Sequence, residues 1–255
     1  MTNGLAHESI GDGTRVVVFS HGFTQTRAMW RPIAHELCKR DESLRCVLVD
    51  LPGHGDSAHI ATPIEEAARL LVATGGGAVY VGYSLGARVA LRALVDHPAI
   101  VQGVISISGT AGLETESERQ ARVTADETLA RRLEAIGVGA FLDEWLAQPL
   151  FADLPRDQAG LPDRLGNTVA GLAESLRNCG QGRQRPLWDD LRTSTRPLLA
   201  IAGSLDLKYV ALARRLASTA PHGTLTLITG AGHGAPQAMP LAVVDAVLEW
   251  LTSQR

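Results

Sequence analysis

The feature that most constrains the fold is the stretch Gly82-Tyr83-Ser84-Leu85-Gly86, which lies between an apolar run and a helical pattern. Residues 78–81 predict a buried strand, and residues 87–91 have the spacing of a helix. A strand, a sharp turn bounded by glycines and a helix, with serine at the apex, are typical of a nucleophile elbow. We therefore expect Ser84 to be catalytic; the alternative is an ordinary serine in a tight turn.

Short apolar runs alternate with helical patterns along most of the chain. Continuous apolar strands that are separated by helices indicate a mostly parallel sheet with both faces covered. We therefore predict an α/β fold. The predicted strands are residues 15–20, 46–50, 78–81, 104–107, 197–201 and 224–228, and the predicted helices are 29–37, 65–73, 87–95, 210–217 and 243–251.

One segment, residues 112–190, breaks this alternation. It contains no convincing strand, and helical patterns dominate at 129–136, 141–146 and 165–176. We predict a core formed by residues 1–111 and 191–255, with 112–190 inserted as a helical lid. The carboxyl edge of an open α/β sheet is where ligands bind, so a lid there would cover the site. The alternative is a separately packed helical domain.

The composition limits the classes of partner. A chain of 255 residues, 45% hydrophobic and 20% charged, is large enough for one α/β domain with an insertion. The net charge of −3 does not favour nucleic acid or an anionic membrane surface. No apolar run approaches the roughly 20 residues of a membrane span. We expect a small-molecule ligand, with no nucleic acid and no membrane partner; the oligomeric state is left open.

The cysteines and the N-terminus suggest a cytoplasmic location. Cys38, Cys46 and Cys179 are scattered, have no zinc-site spacing, and suggest reduced thiols. Residues 1–4 lack a basic region followed by an apolar core, so we expect no signal peptide. Glycines 75–77 precede a strand rather than follow one, so they do not predict a phosphate loop. We expect no metal and no cofactor.

A serine hydroxyl becomes an effective base or nucleophile when a histidine accepts its proton and a carboxylate orients that histidine. After Ser84 the chain offers Asp206, just beyond the strand at 197–201, and His233, just beyond the strand at 224–228. Both follow strands, as Ser84 does, so all three fall at one sheet edge. We predict Ser84, Asp206 and His233 to be catalytic.

Rival acids and histidines are less well placed. Asp189 and Asp190 lie in the predicted lid and follow no strand, while His222 precedes its strand and falls at the opposite sheet edge. The alternatives for the predicted residues are a surface-loop histidine at His233 and a turn-forming aspartate at Asp206.

An oxyanion hole needs backbone N–H groups that point at developing negative charge. Leu85, directly after the serine, supplies one at a helix N-terminus. Phe23, in the Gly-containing loop after the strand at 15–20, is the predicted second donor. We favour structural roles over catalysis for His21 and for His54 in the Pro- and Gly-rich loop that follows the strand at 46–50.

Arg88 lies in the first turn of the predicted helix after the elbow, where a cation opposes the helix dipole. Its position there makes sense if it binds an anion near Ser84, and the alternative is an arginine that extends into solvent. Lys208, two residues after Asp206, could add a second positive charge. Arg122 and Arg164 in the predicted lid could add more, although such arginines are usually solvated.

Taken together, the elbow, the His-Gly-Phe loop and the order of Ser84, Asp206 and His233 resemble the α/β-hydrolases, over essentially the whole chain. The stretches that resemble the 2-succinyl-6-hydroxy-2,4-cyclohexadiene-1-carboxylate synthases of menaquinone biosynthesis are residues 82–88, 141–146, 148–151, 180–182, 186–188 and 206–209. The resemblance implies a lyase that eliminates pyruvate from an enolpyruvyl intermediate bearing several carboxylates. It further implies substrate contacts at Tyr83, Arg88, Arg122, Trp145, Arg164 and Lys208.

The chain departs from that family's pattern in several loops. Pro236 and Ala238 stand where the family often has histidine and glutamate, and Ser204 stands where it has glutamate. Residues 108–113 replace a Ser-Pro-Gly-Leu segment. The alternative activity is an ester or carbon–carbon bond hydrolase with Ser84 as a covalent nucleophile, because the same triad supports both. A non-catalytic ligand-binding module is the third possibility.

Overall fold

The computed structural model describes residues 4–254. The prediction that no signal peptide is present depends largely on residues 1–3, which lie outside the described residues. The described segment contains no helix that is both long enough and apolar enough to cross a membrane.

A seven-stranded sheet forms the centre of the molecule, in the order β1-β3-β2-β4-β5-β6-β7. Strand β1 is antiparallel to β3, and the other strands are parallel to their neighbours. The predicted mostly parallel sheet is therefore present, with β1 as a strand that the sequence reasoning missed. The strands are β1 His7–Ile10, β2 Arg15–Ser20, β3 Leu44–Val49, β4 Val79–Tyr83, β5 Gly103–Ile107, β6 Leu198–Gly203 and β7 Gly223–Ile228.

Helices cover both faces of the sheet and bury its apolar side chains in two clusters. One cluster includes Leu71, Val89 and Leu216, and the other includes Trp30 and Val247. Burial of such side chains contributes about 1.5–3 kcal/mol each, so these clusters hold the strand ends in place. The helices around the sheet are α1 Arg31–Arg40, α2 Ile64–Gly75, α3 Leu85–Asp96, α8 Leu207–Thr219, α9 Ala235–Ala238 and α10 Pro240–Ser253.

Residues 112–190 contain helices and short turns, and no strand is found there. Helix α4 begins at a capping box between Thr115 and Glu118 and changes direction at Gly137, whose φ is 77°. Helices α4 and α6 pack through a small apolar cluster that includes Phe141 and Leu172. The helices that begin in this segment are α4 Glu116–Leu146, α5 Leu161–Leu165, α6 Val169–Cys179 and α7 Trp188–Arg192.

Two expectations for this segment need correction. Most of the helix predicted at 165–176 is present as α6, but it begins at Val169, because Asn167 turns inward to bond core loops and the Thr168 hydroxyl caps α6 at the Gly171 N–H. The predicted limit at residue 190 falls inside α7, whose Trp188 and Leu191 belong to the core cluster. The division into core and lid itself stays a prediction.

Candidate active site

Ser84 lies at the sharp turn between β4 and α3, with φ 52° and ψ −105°. The glycines on either side have no room for a side chain. A Cβ on Gly82 would lie 2.3 Å from the Gly86 oxygen, and one on Gly86 would lie 2.2 Å from the Ser20 oxygen. The backbone at this position is strained, and close packing of strand and helix holds it there.

The loops after β6 and β7 bring Asp206 and His233 to Ser84. His233 Nδ1 lies 2.9 Å from Asp206 Oδ2, and His233 Nε2 lies 3.2 Å from Ser84 Oγ. Because the Asp206 carboxylate faces Nδ1, it favours the tautomer in which Nδ1–H donates to Asp206. Nε2 is then free to accept the serine proton. The imidazole is 2% exposed. This arrangement can make Ser84 a base or a nucleophile.

The rival residues lie elsewhere. Asp190 pairs with Arg185 at the protein surface, and Asp189 pairs with Arg192. His222 is exposed at the start of β7, the opposite edge of the sheet.

The two predicted oxyanion-hole donors border the same space as Ser84. Leu85 is the first residue of α3, where N–H groups lack intrahelical acceptors, and Phe23 lies in the loop after β2. No hydrogen bond between described residues uses either backbone N–H. Both groups can therefore bind an oxygen of a ligand.

His21 and His54 hold the loops that carry Phe23. His21 Nδ1 donates to the Gly22 carbonyl at 2.8 Å, and its Nε2 accepts the Leu51 N–H at 3.0 Å. Burial lowers the pKa of His21 to about 4 and, together with the charge of His21, lowers the pKa of His54 to about 3. Both rings are neutral near pH 7 and serve as structural hydrogen-bonding groups.

A cavity of about 270 Å³, here called the main cavity, opens beside Ser84. Its lining combines residues at the sheet edge with residues from α4, α5 and α6. Nearly all of the predicted site residues meet in it. Those that line it are Phe23, Tyr83, Ser84, Leu85, Arg88, Arg122, Trp145, Arg164 and His233.

The Arg88 guanidinium is bound only by neutral oxygens. Its Nη1 donates to Gln184 Oε1 at 3.2 Å, and its Nη2 donates to the Cys179 carbonyl at 2.8 Å. Arg88 makes no ion pair with any residue in the described part of the chain. Burial, helped by the charge of Arg122, lowers the pKa of Arg88 to about 10, so the group remains cationic near pH 7. The cavity wall thus holds a cation without a protein counter-ion.

Arg164 is a second such cation, and it is only 2% exposed. Its Nε donates to the Ala159 carbonyl at 2.7 Å, and its Nη1 donates to the Thr24 hydroxyl. No ion pair to Arg164 occurs among residues 4–254. Burial lowers the pKa of Arg164 to about 10. Because a buried charge is costly without a partner, two unpaired guanidinium groups in one cavity favour an anionic ligand.

Arg122 differs from these two because it has a carboxylate partner. Its Nε donates to Asp126 Oδ1 at 2.7 Å, while Asp126 Oδ2 is buried and has no hydrogen-bond partner within residues 4–254. Burial raises the pKa of Asp126, and the Arg122 charge opposes that shift. Arg122 is half-buried, and it adds a third guanidinium to the lining.

Lys208 does not belong to this set. Its side chain is exposed, and it is absent from the lining of the main cavity. The next residue, Tyr209, lines the cavity instead, with its ring centroid 4.4 Å from that of His233. Asp206 caps α8 by accepting the Tyr209 N–H at 3.2 Å, and this register turns Tyr209 inward and Lys208 outward. Burial raises the pKa of Tyr209.

Further lining residues were missed by the sequence reasoning. Ser175 Oγ and Nε1 of the predicted Trp145 are buried and have no hydrogen-bond partner in the described part of the chain, so both are potential ligand donors. Gln148 and Phe151 also line the cavity. Gln148 and Phe151 belong to the stretch 148–151, which resembles the family in sequence, but that resemblance alone did not predict a role for them.

The loops that depart from the family pattern support the triad here. Ser108, with φ 49°, donates its hydroxyl to the His233 carbonyl at 3.0 Å. Ser204 Oγ accepts the Gly230 N–H at 2.9 Å and ties the Asp206 loop to the His233 loop. Within residues 4–254, no group of three or more histidine, cysteine or acidic side chains is arranged to hold a metal ion.

Known proteins share this architecture. A model of the alpha/beta hydrolase family matches residues 17–246. The 2-succinyl-6-hydroxy-2,4-cyclohexadiene-1-carboxylate synthase of Salmonella typhimurium is 32% identical over 251 residues, which cover 94% of each chain. Protein PHYLLO, chloroplastic, of Arabidopsis thaliana is 29% identical over 93% of this chain, which spans only 15% of that longer protein.

Two solved structures superpose closely. MenH from S. aureus has a TM-score of 0.89 at 25% identity, covering 100% of this chain and 99% of that one. A thermophilic esterase from Thermogutta terrifontis, with malate bound, has a TM-score of 0.83 at 25% identity, covering 98% and 93%. The predicted fold is confirmed. The chain therefore belongs to the alpha/beta hydrolase family, as an enzyme similar over nearly its whole length to 2-succinyl-6-hydroxy-2,4-cyclohexadiene-1-carboxylate synthases.

Proposed function

We propose that the protein is a lyase of menaquinone biosynthesis. It eliminates pyruvate from 2-succinyl-5-enolpyruvyl-6-hydroxy-3-cyclohexene-1-carboxylate to give 2-succinyl-6-hydroxy-2,4-cyclohexadiene-1-carboxylate. The observation that carries the proposal is the pair of buried, unpaired guanidinium groups of Arg88 and Arg164 beside Ser84. A substrate with several carboxylates supplies the anions that these groups lack. The relatives named for this activity support the same substrate.

In the proposed mechanism Ser84 acts as a base. His233 Nε2 accepts the hydroxyl proton of Ser84 while Asp206 holds the imidazole, and the serine oxygen removes a proton from a ring carbon. The C–H electron pair shifts through the ring double bond and breaks the C–O bond to the enolpyruvyl group. The departing enolate takes up the proton that His233 Nε2 holds, directly or through water, and becomes pyruvate, which returns His233 to its neutral form. No covalent bond to the enzyme is formed.

The remaining groups would stabilise charge and orientation. The Phe23 and Leu85 N–H groups would bind an oxygen on which negative charge develops, a contribution of about 2.7–4 kcal/mol per donor in acyl-transfer enzymes. Arg88, Arg122 and Arg164 would hold the carboxylates, and the Trp145 N–H is a further candidate donor. Tyr83 and Tyr209 would border the ring. The free cysteines Cys38, Cys46 and Cys179 suit the cytoplasmic location that the proposal includes.

The test is a coupled assay of pyruvate release from the enolpyruvyl substrate. The wild-type protein is expected to release pyruvate, and Ser84→Ala is expected to lose about 10³-fold in kcat. Arg88→Ala should raise KM strongly. Its matched control is Arg92→Ala, one turn further along α3, where Arg92 pairs with Asp96 outside the main cavity. Absence of Ser84-dependent pyruvate release from the wild-type protein would exclude the lyase.

The second candidate is a carboxylic-ester or carbon–carbon bond hydrolase with Ser84 as the nucleophile. The esterase from Thermogutta terrifontis, which has the same fold, favours this candidate. It predicts rapid turnover of short neutral esters, a covalent intermediate on Ser84, and little effect of Arg88→Ala on those esters. Strong Arg88 dependence together with slow ester turnover would favour the lyase.

A further inference from the structure

A second cavity, of about 230 Å³, adjoins the main cavity. Arg164 and Gln25 line both cavities and form part of the wall between them. The second cavity lies where three elements meet: the loop after β2, helix α5, and the turn that follows His233. Of the residues assigned to the triad and to the proposed elimination, Arg164 alone lines it.

The lining of the second cavity is mostly apolar. Ala28, Met29 and Pro32 come from the β2–α1 region, and Pro236 and Pro240 come from the region of α9. Such a surface suits a short aliphatic or aromatic body, whose burial contributes about 0.8 kcal/mol per methylene.

The amide side chains of Gln25 and Gln237 in this lining already form hydrogen bonds with each other and with the backbone. Gln25 Nε2 donates to Gln237 Oε1 at 2.7 Å, and Gln237 Nε2 donates to the Ala159 carbonyl at 3.1 Å. The Ala159 carbonyl also accepts Arg164 Nε, and the Arg164 Nη2 group donates no hydrogen bond to any of the described residues. Among the buried residues of the lining, Arg164 therefore has both a positive charge and spare hydrogen-bond donors.

The two charged residues of the lining differ in exposure: Arg164 is buried, whereas Asp163 is exposed, so water screens the Asp163 charge more strongly. Asp163 is the one carboxylate in the lining among residues 4–254, and it lies beside Arg164 in the sequence. One guanidinium without an ion pair attracts one carboxylate, and the Asp163 charge opposes a second.

We propose that the second cavity is a binding site for small monocarboxylates with a short apolar body, with Arg164 as the residue that holds the carboxylate. Because the same guanidinium lines the main cavity, a monocarboxylate bound in the second cavity competes for Arg164 with the substrate. This consequence rests on the proposed function, whereas the binding site itself does not.

The test uses butyrate as the probe and its neutral analogue butanamide as the control, with binding measured by calorimetry. Ala28→Trp fills the second cavity, and Ala125→Trp is the matched variant in the lining of the main cavity. Neither residue belongs to the catalytic or substrate-binding set. Thermal unfolding of both variants shows whether they are folded.

Butyrate is expected to bind the wild-type protein with a Kd on the order of 1 mM, and butanamide at least about ten-fold more weakly. Ala28→Trp should weaken butyrate binding at least about ten-fold, while Ala125→Trp should leave it within about two-fold. Asp163→Asn should tighten it about three-fold, which keeps the test decisive if Ala28→Trp does not fold.

Absence of butyrate binding to the wild type overturns the proposal, as does binding that survives Ala28→Trp but is lost in Ala125→Trp. In the pyruvate assay, butyrate should raise the KM of the wild type and not that of Ala28→Trp. A wild-type protein that binds butyrate as predicted but releases no pyruvate would contradict the proposed function and leave the second site standing.

Discussion

Arginines on the outer surface of the helical segment and two of the three arginines in the main cavity have different kinds of partner. On the surface, Arg177 of α6 pairs with Glu127 and Glu134 of α4. In the cavity, Arg88 and Arg164 are bound only by neutral oxygens. The chain has many carboxylates, yet no carboxylate within residues 4–254 is paired with these two guanidinium groups. This difference points to a ligand that brings its own negative charges.

The two kinds of arginine also differ in their contribution to the stability of the protein. Exposed ion pairs such as those of Arg177 contribute about 0–1 kcal/mol each to stability. A buried charge without a partner is destabilising, and replacing it by an apolar residue is often neutral or favourable. We therefore expect surface arginines such as Arg177 to stabilise the fold slightly, and Arg88 and Arg164 to lower the stability of the free protein and to favour the bound state.

The largest effect is expected for the pair Arg164→Met and Arg177→Met. Arg164→Met should lower kcat/KM about 100-fold, because a charge-assisted hydrogen bond to the substrate is lost, and should raise the free energy of unfolding by about 1 kcal/mol. Arg177→Met should lower that free energy by at most about 1 kcal/mol and leave kcat/KM within about two-fold.

Urea unfolding of the free proteins and the pyruvate assay measure the two quantities. If Arg164→Met destabilises the free protein more than Arg177→Met does, the expected difference between cavity and surface arginines is wrong.

An intermediate effect is expected for His54, a buried basic group that is neutral rather than charged. Burial lowers its pKa to about 3, whereas the unfolded state has the usual value near 6.5. Below about pH 6.5 the unfolded state therefore binds more protons than the folded state does. The contribution of neutral His54 to the free energy of unfolding is present above that pH and is lost as pH falls toward 3.

The glutamine in His54→Gln can still accept the Thr24 N–H. The substitution should lower the slope of the unfolding free energy against pH by up to about 1.4 kcal/mol per pH unit between pH 6 and pH 4. The control is His222→Gln at an exposed position, and its slope should match that of the wild type. Equal slopes for all three proteins in denaturant titrations would show that His54 does not titrate on unfolding.

The smallest effect is expected for Lys208→Ala. Its side chain is exposed and lies outside the lining of the main cavity, so KM should change by less than about two-fold. Arg122→Ala, which removes a guanidinium from the lining, is the comparison variant and should raise KM more. A ten-fold increase for Lys208→Ala would mean that the loop after β6 closes over the bound substrate.

The sheet was predictable from the sequence because its parallel strands are continuous apolar runs. Strand β1, residues His7–Ile10, was missed because an edge strand with one antiparallel neighbour is short and partly polar. The helix predicted at 165–176 is present as α6 but begins at Val169, because the apolar spacing continues through a break that the inward hydrogen bonds of Asn167 make. Such long-range contacts leave no local signal.

The order of residues along the chain was enough to predict which side chains follow which strands. It could not show that Tyr209, and not Lys208, faces the main cavity, because that depends on where α8 begins. Nor could it distinguish an arginine with a carboxylate partner from one without. The roles of the predicted site residues in binding and catalysis stay predictions.

The crowded glycines of the elbow have a consequence for the protein's tolerance of mutation. Any side chain at Gly82 or Gly86 would collide with backbone atoms, which cannot move aside as a flexible side chain can. In a library of all single substitutions selected for activity, these two positions should be as intolerant as Ser84, although neither has a side chain that could touch a substrate. Intolerance to substitution at Gly82, Ser84 and Gly86 would thus report the backbone geometry of the turn as well as the chemistry of the serine.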